Sequence, residues 1–250
     1  VDNATKRKLK KQDQFVALTT SGVHWAEEHR RKTIIAAVTL VVAVLAVVGG
    51  CSFYGHRTSE AATAFGAAMQ VYQTPLVNPA QPLPPGTKTF NTAKERSTAA
   101  NAQFTQVANQ YGFTKSGKLA EYFAGLTYMD EGDNGPAEEA FKRTASSWDS
   151  GLAALGKSSL AELYQQTNRD AQAIELYNQL GKGTSATVPA ALAQLELAEL
   201  YQSEGKTEQA RQIYAKIKDD DKDSKGKPGA ASQIASEKLN PKAAAGPGLE

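Results

Sequence analysis

The chain has 250 residues and a formal net charge of +2, with 41% hydrophobic and 22% charged residues. That length holds one or two domains, and so balanced a charge excludes the global basic field of a nucleic-acid binder. Cys51 is the only cysteine, which excludes an internal disulfide and leaves any folded part to stand on its packing.

The charge is unevenly placed. Residues 1–32 carry eight Lys/Arg against four acids, a net +4, so the remainder carries −2. The run KRKLKK (6–11) is followed by Asp13, a helix-capping type, and by Phe15, Leu18, Gly22, Val23 and Ala26 at helical spacing. This predicts a basic, amphipathic arm over 1–32 that lies on anionic lipid or on a partner, with no nucleic-acid role.

From Thr33 to Gly50 no residue is charged, and the apolar run carries on through Phe53 and Tyr54. At about 1.5 Å per residue such a helix spans roughly 27–33 Å, the thickness of a bilayer core. We expect a transmembrane helix over 33–54. Arg30, Arg31 and Lys32 flank its inner end, whereas Arg57 is the only base beyond it before Lys88. The positive-inside rule puts the N-terminus in the cytoplasm and 57–250 across the membrane. In a bacterium this is a single-pass inner-membrane protein with a periplasmic domain. Within the run, Thr39, Ala43, Ala46 and Gly50 place small residues at steps that permit close helix packing.

Two readings of Cys51 stay open. VGGC (48–51) passes as a lipoprotein cleavage signal, after which Cys51 would be acylated. A signal peptide, however, has a short basic leader, and here 32 patterned residues precede the apolar run. The uncut helix is the preferred expectation.

Beyond the membrane the sequence repeats. GLTYMDEGDNGPAEEAF (125–141), AELYQQTNRDAQAIELY (161–177) and AELYQSEGKTEQARQIY (198–214) align without gaps. Small residues stand at Gly125, Ala161 and Ala198, and Tyr128, Tyr164 and Tyr201 follow three positions on. Ala137, Ala173 and Ala210 come nine further, then Phe141, Tyr177 and Tyr214 after four more. Turn-forming residues separate the halves of each unit. Small residues that admit a neighbouring helix, with aromatics filling the layer between, predict an all-α helix–turn–helix solenoid.

This pattern resembles the tetratricopeptide (TPR) repeat over about 115–218. It departs from the family in its period of 36 or 37, and in having Asp149, Ser185 and Lys222 where the late proline is expected. The extra residues should lie between units. Three repeats are expected over 112–218. Before them, 55–111 should hold a stalk helix continuous with the span, a Pro-rich excursion over 74–91 with five prolines, and a degenerate unit using Ala100 and Phe104. A charged, flexible linker (219–229), a capping helix (230–240) with Ile234 and Leu239 inward, and a disordered tail (241–250) complete the expectation.

No catalytic constellation is visible. His24, His29 and His56 have no metal-ligand spacing, no nucleophile or phosphate-loop motif occurs, and Glu138–Glu139 is expected to face solvent. The reading is a non-enzyme with no cofactor and no metal. The TPR resemblance implies a peptide-binding groove along the first helices, formed by Tyr122, Leu126, Met129, Glu162, Gln165, Glu199 and Gln202. The wider layout resembles YfgM-type ancillary subunits of the bacterial Sec translocon. That likeness implies a scaffold or chaperone-like factor for secreted clients, with the translocon or a periplasmic chaperone as partner. A TPR lipoprotein of envelope assembly and a self-assembling homo-oligomeric scaffold are the alternatives.

Overall fold

A computed structural model of the chain describes residues 29–78, 80, 84, 86–222 and 226–240. The amphipathic arm, apart from its last four residues, and the C-terminal tail lie outside the described residues. Every regular element among those described is an α-helix: α1 (Arg30–Tyr72), α2 (Ala93–Tyr111), α3 (Lys115–Glu131), α4 (Asn134–Ala145), α5 (Ser150–Gln166), α6 (Asp170–Leu180), α7 (Ala190–Ser203), α8 (Thr207–Asp220) and α9 (Ala230–Leu239). The chain divides into two compact units, 1–56 and 57–250.

In the first unit α1 is apolar all round. Its side chains from Ile34 to Val48 are exposed, and no part of its most apolar window is buried by protein. Thr39 turns its hydroxyl back onto the Ile35 carbonyl at 2.8 Å, which satisfies the one polar side chain mid-run. Length and composition make this helix long enough to cross a membrane.

In the second unit α1 packs on other helices. Ala61 and Ala68 are fully buried there, and Phe65 and Tyr72 join Phe104 of α2 and Phe123 of α3 in an aromatic cluster. Phe104 and Phe123 stack at 5.3 Å between centroids, and Phe65 and Tyr72 tilt against both at 5.7–6.0 Å. Asn101 keeps the layer in register: its amide donates to the Ala124 carbonyl (3.2 Å) and to Thr127 Oγ1 (2.9 Å). From α2 to α9 each helix packs on the next.

The twelve repeat positions form the layers of this stack. Ala137, Phe141, Ala161, Tyr164, Ala173 and Tyr177 lie in one continuous core, and Ala198, Ala210 and Tyr214 in the next. Gly125 is buried because nothing larger fits: a Cβ there would stand 2.6 Å from the Phe141 ring. Tyr128 and Tyr201 are partly buried against the same cores. Between the helices of each unit one residue takes the left-handed conformation, Gly132, Asn168 and Gly205 in turn. The next amide then bonds the carbonyl of the first-helix tyrosine: Asp133 to Tyr128 (2.9 Å), Arg169 to Tyr164 (2.7 Å) and Lys206 to Tyr201 (2.8 Å). Arg169 and Lys206 also lay their cations over the rings of Tyr164 and Tyr201.

Two of the three positions that lack the late proline have substitutes. Asp149 caps α5, its Oδ1 accepting from the Gly151 and Leu152 amides. Ser185 Oγ accepts from the Thr187 and Val188 amides just before α7. The connections between units are 146–149 from α4 to α5 and the longer 181–189 from α6 to α7.

Several features differ from the expectation. The Pro-rich excursion is closed at its base: Val77 N–H donates to the Phe90 carbonyl (2.9 Å) and Phe90 N–H to the Pro75 carbonyl (3.1 Å). Ile234 is not inward but 39% exposed, and Ala231, Ser232 and Ala235 face the core instead, with Leu239 partly buried beside them. The reason is Asp221, whose Oδ2 accepts from the Ser232 amide while Ser232 Oγ donates to the Lys218 carbonyl (both 2.9 Å), fixing the rotation of α9. Glu138 does not simply face solvent. It is half-buried and receives Arg169 (2.7 Å), Lys142 (2.8 Å) and the Tyr164 hydroxyl (3.3 Å).

Candidate functional site: the first-helix face

The first helices of the repeats, α3, α5 and α7, carry the expected groove positions, and the structure divides them into two groups. Tyr122, Leu126 and Met129 of α3 are partly buried and pack against the central core. Tyr122 bridges onward: its ring lies 6.1 Å from Phe141, and its hydroxyl accepts from Ser159 of α5 at 3.3 Å. These three form an apolar floor to the first-helix layer.

Gln165 and Gln202 are tied down within their own repeats. The hydroxyl of Tyr177 donates to Gln165 Oε1, and that of Tyr214 to Gln202 Oε1, both at 3.2 Å. The contact recurs because the offset recurs, since the residue after the first tyrosine faces the second aromatic. Repeat one has Met129 opposite Phe141 and makes no such bond. Sequence reading placed these glutamines as ligand contacts, and the signal for their other role was the covariation of Gln with Tyr and of Met with Phe.

Glu162 and Glu199 are exposed on α5 and α7. A third carboxylate, Glu196, missed by the sequence reading, joins them one turn before Glu199. Desolvation by the packed helices, then repulsion from Glu199 and Glu162, holds the Glu196 carboxyl above its ordinary range. Burial, then the charges of Glu196 and Glu162, push the Tyr177 hydroxyl well up, which keeps it protonated as a donor to Gln165. Lys238 of α9 pairs with Glu199 at 2.8 Å and closes the acidic end of the face. The face therefore grades from apolar on α3 to anionic on α5 and α7.

The hollows on the surface are shallow. One of ≈ 230 Å³ is lined by Gln202, Tyr214 and Lys238 among others, and one of ≈ 280 Å³ lies at the α5–α6 end near Lys157 and Gln179. Among the described residues no group of three His, Cys, Asp or Glu is placed to hold a metal ion. What the arrangement offers chemically is a graded contact surface.

The model of the tetratricopeptide repeat-like domain family matches residues 24–240. The chain belongs to this family. The match extends beyond the three clear repeats to the helix before them and the capping helix after them. No curated protein and no solved structure matches the chain. TPR-like domains mediate contacts between proteins, and this chain carries such a domain.

Proposed function

We propose that this is a non-enzymatic interaction protein, anchored in a bacterial inner membrane by α1, with its repeats on the periplasmic side. Its role is that of a scaffold or chaperone-like factor for secreted proteins beside the Sec translocon. The observation that carries the reading is the first-helix face, an apolar floor of Tyr122, Leu126 and Met129 running into Glu162, Glu196 and Glu199. It suits an extended or helical segment that presents apolar anchors followed by basic residues. The anchor rests on the unburied apolar length of α1, and the orientation on Arg30, Arg31 and Lys32 at its inner end.

A photo-crosslinker at Glu162, exposed and outside the core, tests this in growing cells. Capture of a translocon subunit, a membrane-anchored chaperone or chains in transit supports the assignment. Labelling that matches a crosslinker on the outer face of α8, such as at Gln212, removes it. The lipoprotein reading is separated by intact mass, since a diacylglyceryl group on an N-terminal Cys51 would exclude the uncut helix. Supporting the uncut form, α1 continues through Cys51 without a break.

A further inference from the structure

The repeat stack ends on α9, and the register of the repeats says which helix α9 stands for. One further step of 37 residues from Ala198 and Tyr201 reaches Ala235 and Lys238. Ala235 is fully buried, like Ala161 and Ala198. α9 packs on α8 as α7 packs on α6, so it occupies the place of the first helix of a fourth unit. Where the three units before it carry Tyr128, Tyr164 and Tyr201, however, it carries a lysine.

At the two joints inside the stack that tyrosine covers the second helix of the unit before. Tyr164 joins the core that holds Ala137 and Phe141, and its hydroxyl donates to Glu138 at 3.3 Å. Tyr201 packs on the core that holds Ala173 and Tyr177, as does Ile174. The corresponding residues of α8 are Ala210, Tyr214 and Arg211. No ring arrives there. Lys238 runs instead to Glu199 at 2.8 Å, beside the hollow of ≈ 230 Å³. Ala210, Tyr214 and Leu239 give this hollow its apolar surface, and Thr207, Arg211 and Gln202 stand around it.

The hollow is the seat of a missing side chain, and it keeps the chemistry of the residue it lacks. Ala210 and Tyr214 preserve the small-plus-aromatic floor that receives a ring at the other two joints. Arg211 takes the place of Glu138 and Ile174, and a guanidinium at that edge favours a ring over an aliphatic chain. Residues 241–250, which follow α9, contain no aromatic side chain to fill it. The hollow also continues the first-helix face, since Gln202 and Lys238, the partner of Glu199, line it. A segment lying along that face past Glu199 meets it next.

We propose that the hollow between α8 and α9 is a subsite for an aromatic side chain, Phe or Tyr, of the segment held on the first-helix face. The proposal rests on the reading of that face as a partner-binding surface and names what its end selects.

The test places a single thiol at the hollow of the full chain in detergent micelles, as Thr207→Cys combined with Cys51→Ser. Thr207 is exposed, and the control is Gln212→Cys on the outer face of α8. Each protein is equilibrated with disulfides carrying a 2-phenylethyl or a 2-cyclohexylethyl group under rising 2-mercaptoethanol, and intact mass reads the adduct retained. In Thr207→Cys the phenyl group should withstand about fivefold more reductant than the cyclohexyl group. In Gln212→Cys the two should behave alike. Lys238→Tyr, which supplies the ring from α9 itself, should erase the preference. Lys238→Gln, which only breaks the pair with Glu199, should keep it. In growing cells Lys238→Tyr should lower capture from the crosslinker at Glu162 about tenfold, as loss of an aromatic anchor does, and Lys238→Gln should not.

No preference in Thr207→Cys, or one that Lys238→Tyr leaves intact, would overturn the subsite, and undiminished capture from Glu162 would then leave the wider reading standing. A preference with no capture from Glu162 in the unaltered chain would remove both. Crosslinks between two copies of the chain that vanish in Trp148→Ala would make the exposed Trp148 the ring and overturn the assignment to a partner. A preference that emerges only after residues 241–250 are removed would give the hollow to the chain's own tail, and the proposal would fall.

Discussion

The first full repeat, α3 with α4, and the two that follow reach the same geometry with different chemistry. Repeat one joins its helices by a steric fit: Gly125 leaves room for the Phe141 ring, and Met129 lies alongside. Repeats two and three fill the first position with Ala161 and Ala198 and replace Phe with Tyr177 and Tyr214, whose hydroxyls reach Gln165 and Gln202 at 3.2 Å. The turn differs in the same sense. Asp133 makes only the main-chain bond, whereas Arg169 and Lys206 add a cation over the tyrosine ring. Main-chain geometry is common to all three units, and side chains change in matched sets around it. Substitutions within a set should therefore be cheaper than substitutions that cross sets.

The largest effect should come from emptying a shared layer. Phe141→Ala removes a fully buried ring that serves α3, α4 and Tyr122 together, at a cost of about 3–5 kcal/mol. A lowered thermal midpoint of the full chain, followed by helical circular dichroism, reads it. Next comes crossing the sets at the small position. Gly125→Ala should cost about 1–3 kcal/mol by overpacking against Phe141, whereas Ala161→Gly should cost about 1 kcal/mol, through helix propensity. Equal costs at the two sites would show that the glycine is no part of a matched set.

The polar lock is smaller. Tyr177→Phe and Tyr214→Phe should each lose about 0.5–1.5 kcal/mol. Transplanting the lock with Phe141→Tyr and Met129→Gln should give a favourable coupling in a double-mutant cycle that neither change gives alone. Additive single effects would mean the hydroxyl–amide pair is incidental.

The smallest expected effect concerns acidity. Burial opposes charge on Glu138, yet hydrogen bonds from Lys142 and Arg169 outweigh it and hold the carboxyl below its ordinary range. A lowered folded-state value means the carboxylate favours the folded state above the ordinary range. That contribution disappears as pH falls through the lowered value. With Lys142 well exposed, the share should stay within about 1 kcal/mol. Glu138→Gln should flatten the acid limb of the stability profile and leave the neutral limb's slope unchanged.

The repeats were legible because close packing writes itself at fixed offsets, and Ala137, Ala173 and Ala210 cannot grow without separating two helices. The matched sets were visible too, but as variation within the offsets, which pattern reading treats as noise. Less was legible where a single side chain overrides a periodic preference. By hydrophobicity Ile234 belongs inside, yet the carboxylate of Asp221 sets the rotation of α9 and leaves it out. Glu138 looked like a surface acid because its principal partner, Arg169, stands 31 positions away and is brought back only by the next turn. In the first-helix face, Glu162 and Glu199 were found from the family's geometry. Glu196 was missed because its place in the trio depends on how α7 sits against α5.

The closed base of the Pro-rich excursion has a practical side. Because residues 75–77 and 90 hold each other through two main-chain bonds, the stretch between them leaves and rejoins the domain at the same place, as a ribbon does at its knot. Lengthening a flexible stretch between fixed ends costs only about 0.6 kcal/mol per doubling. A tag or small domain spliced there should leave α1 and α2 paired, which makes this detour the natural handle by which to label or retrieve the protein.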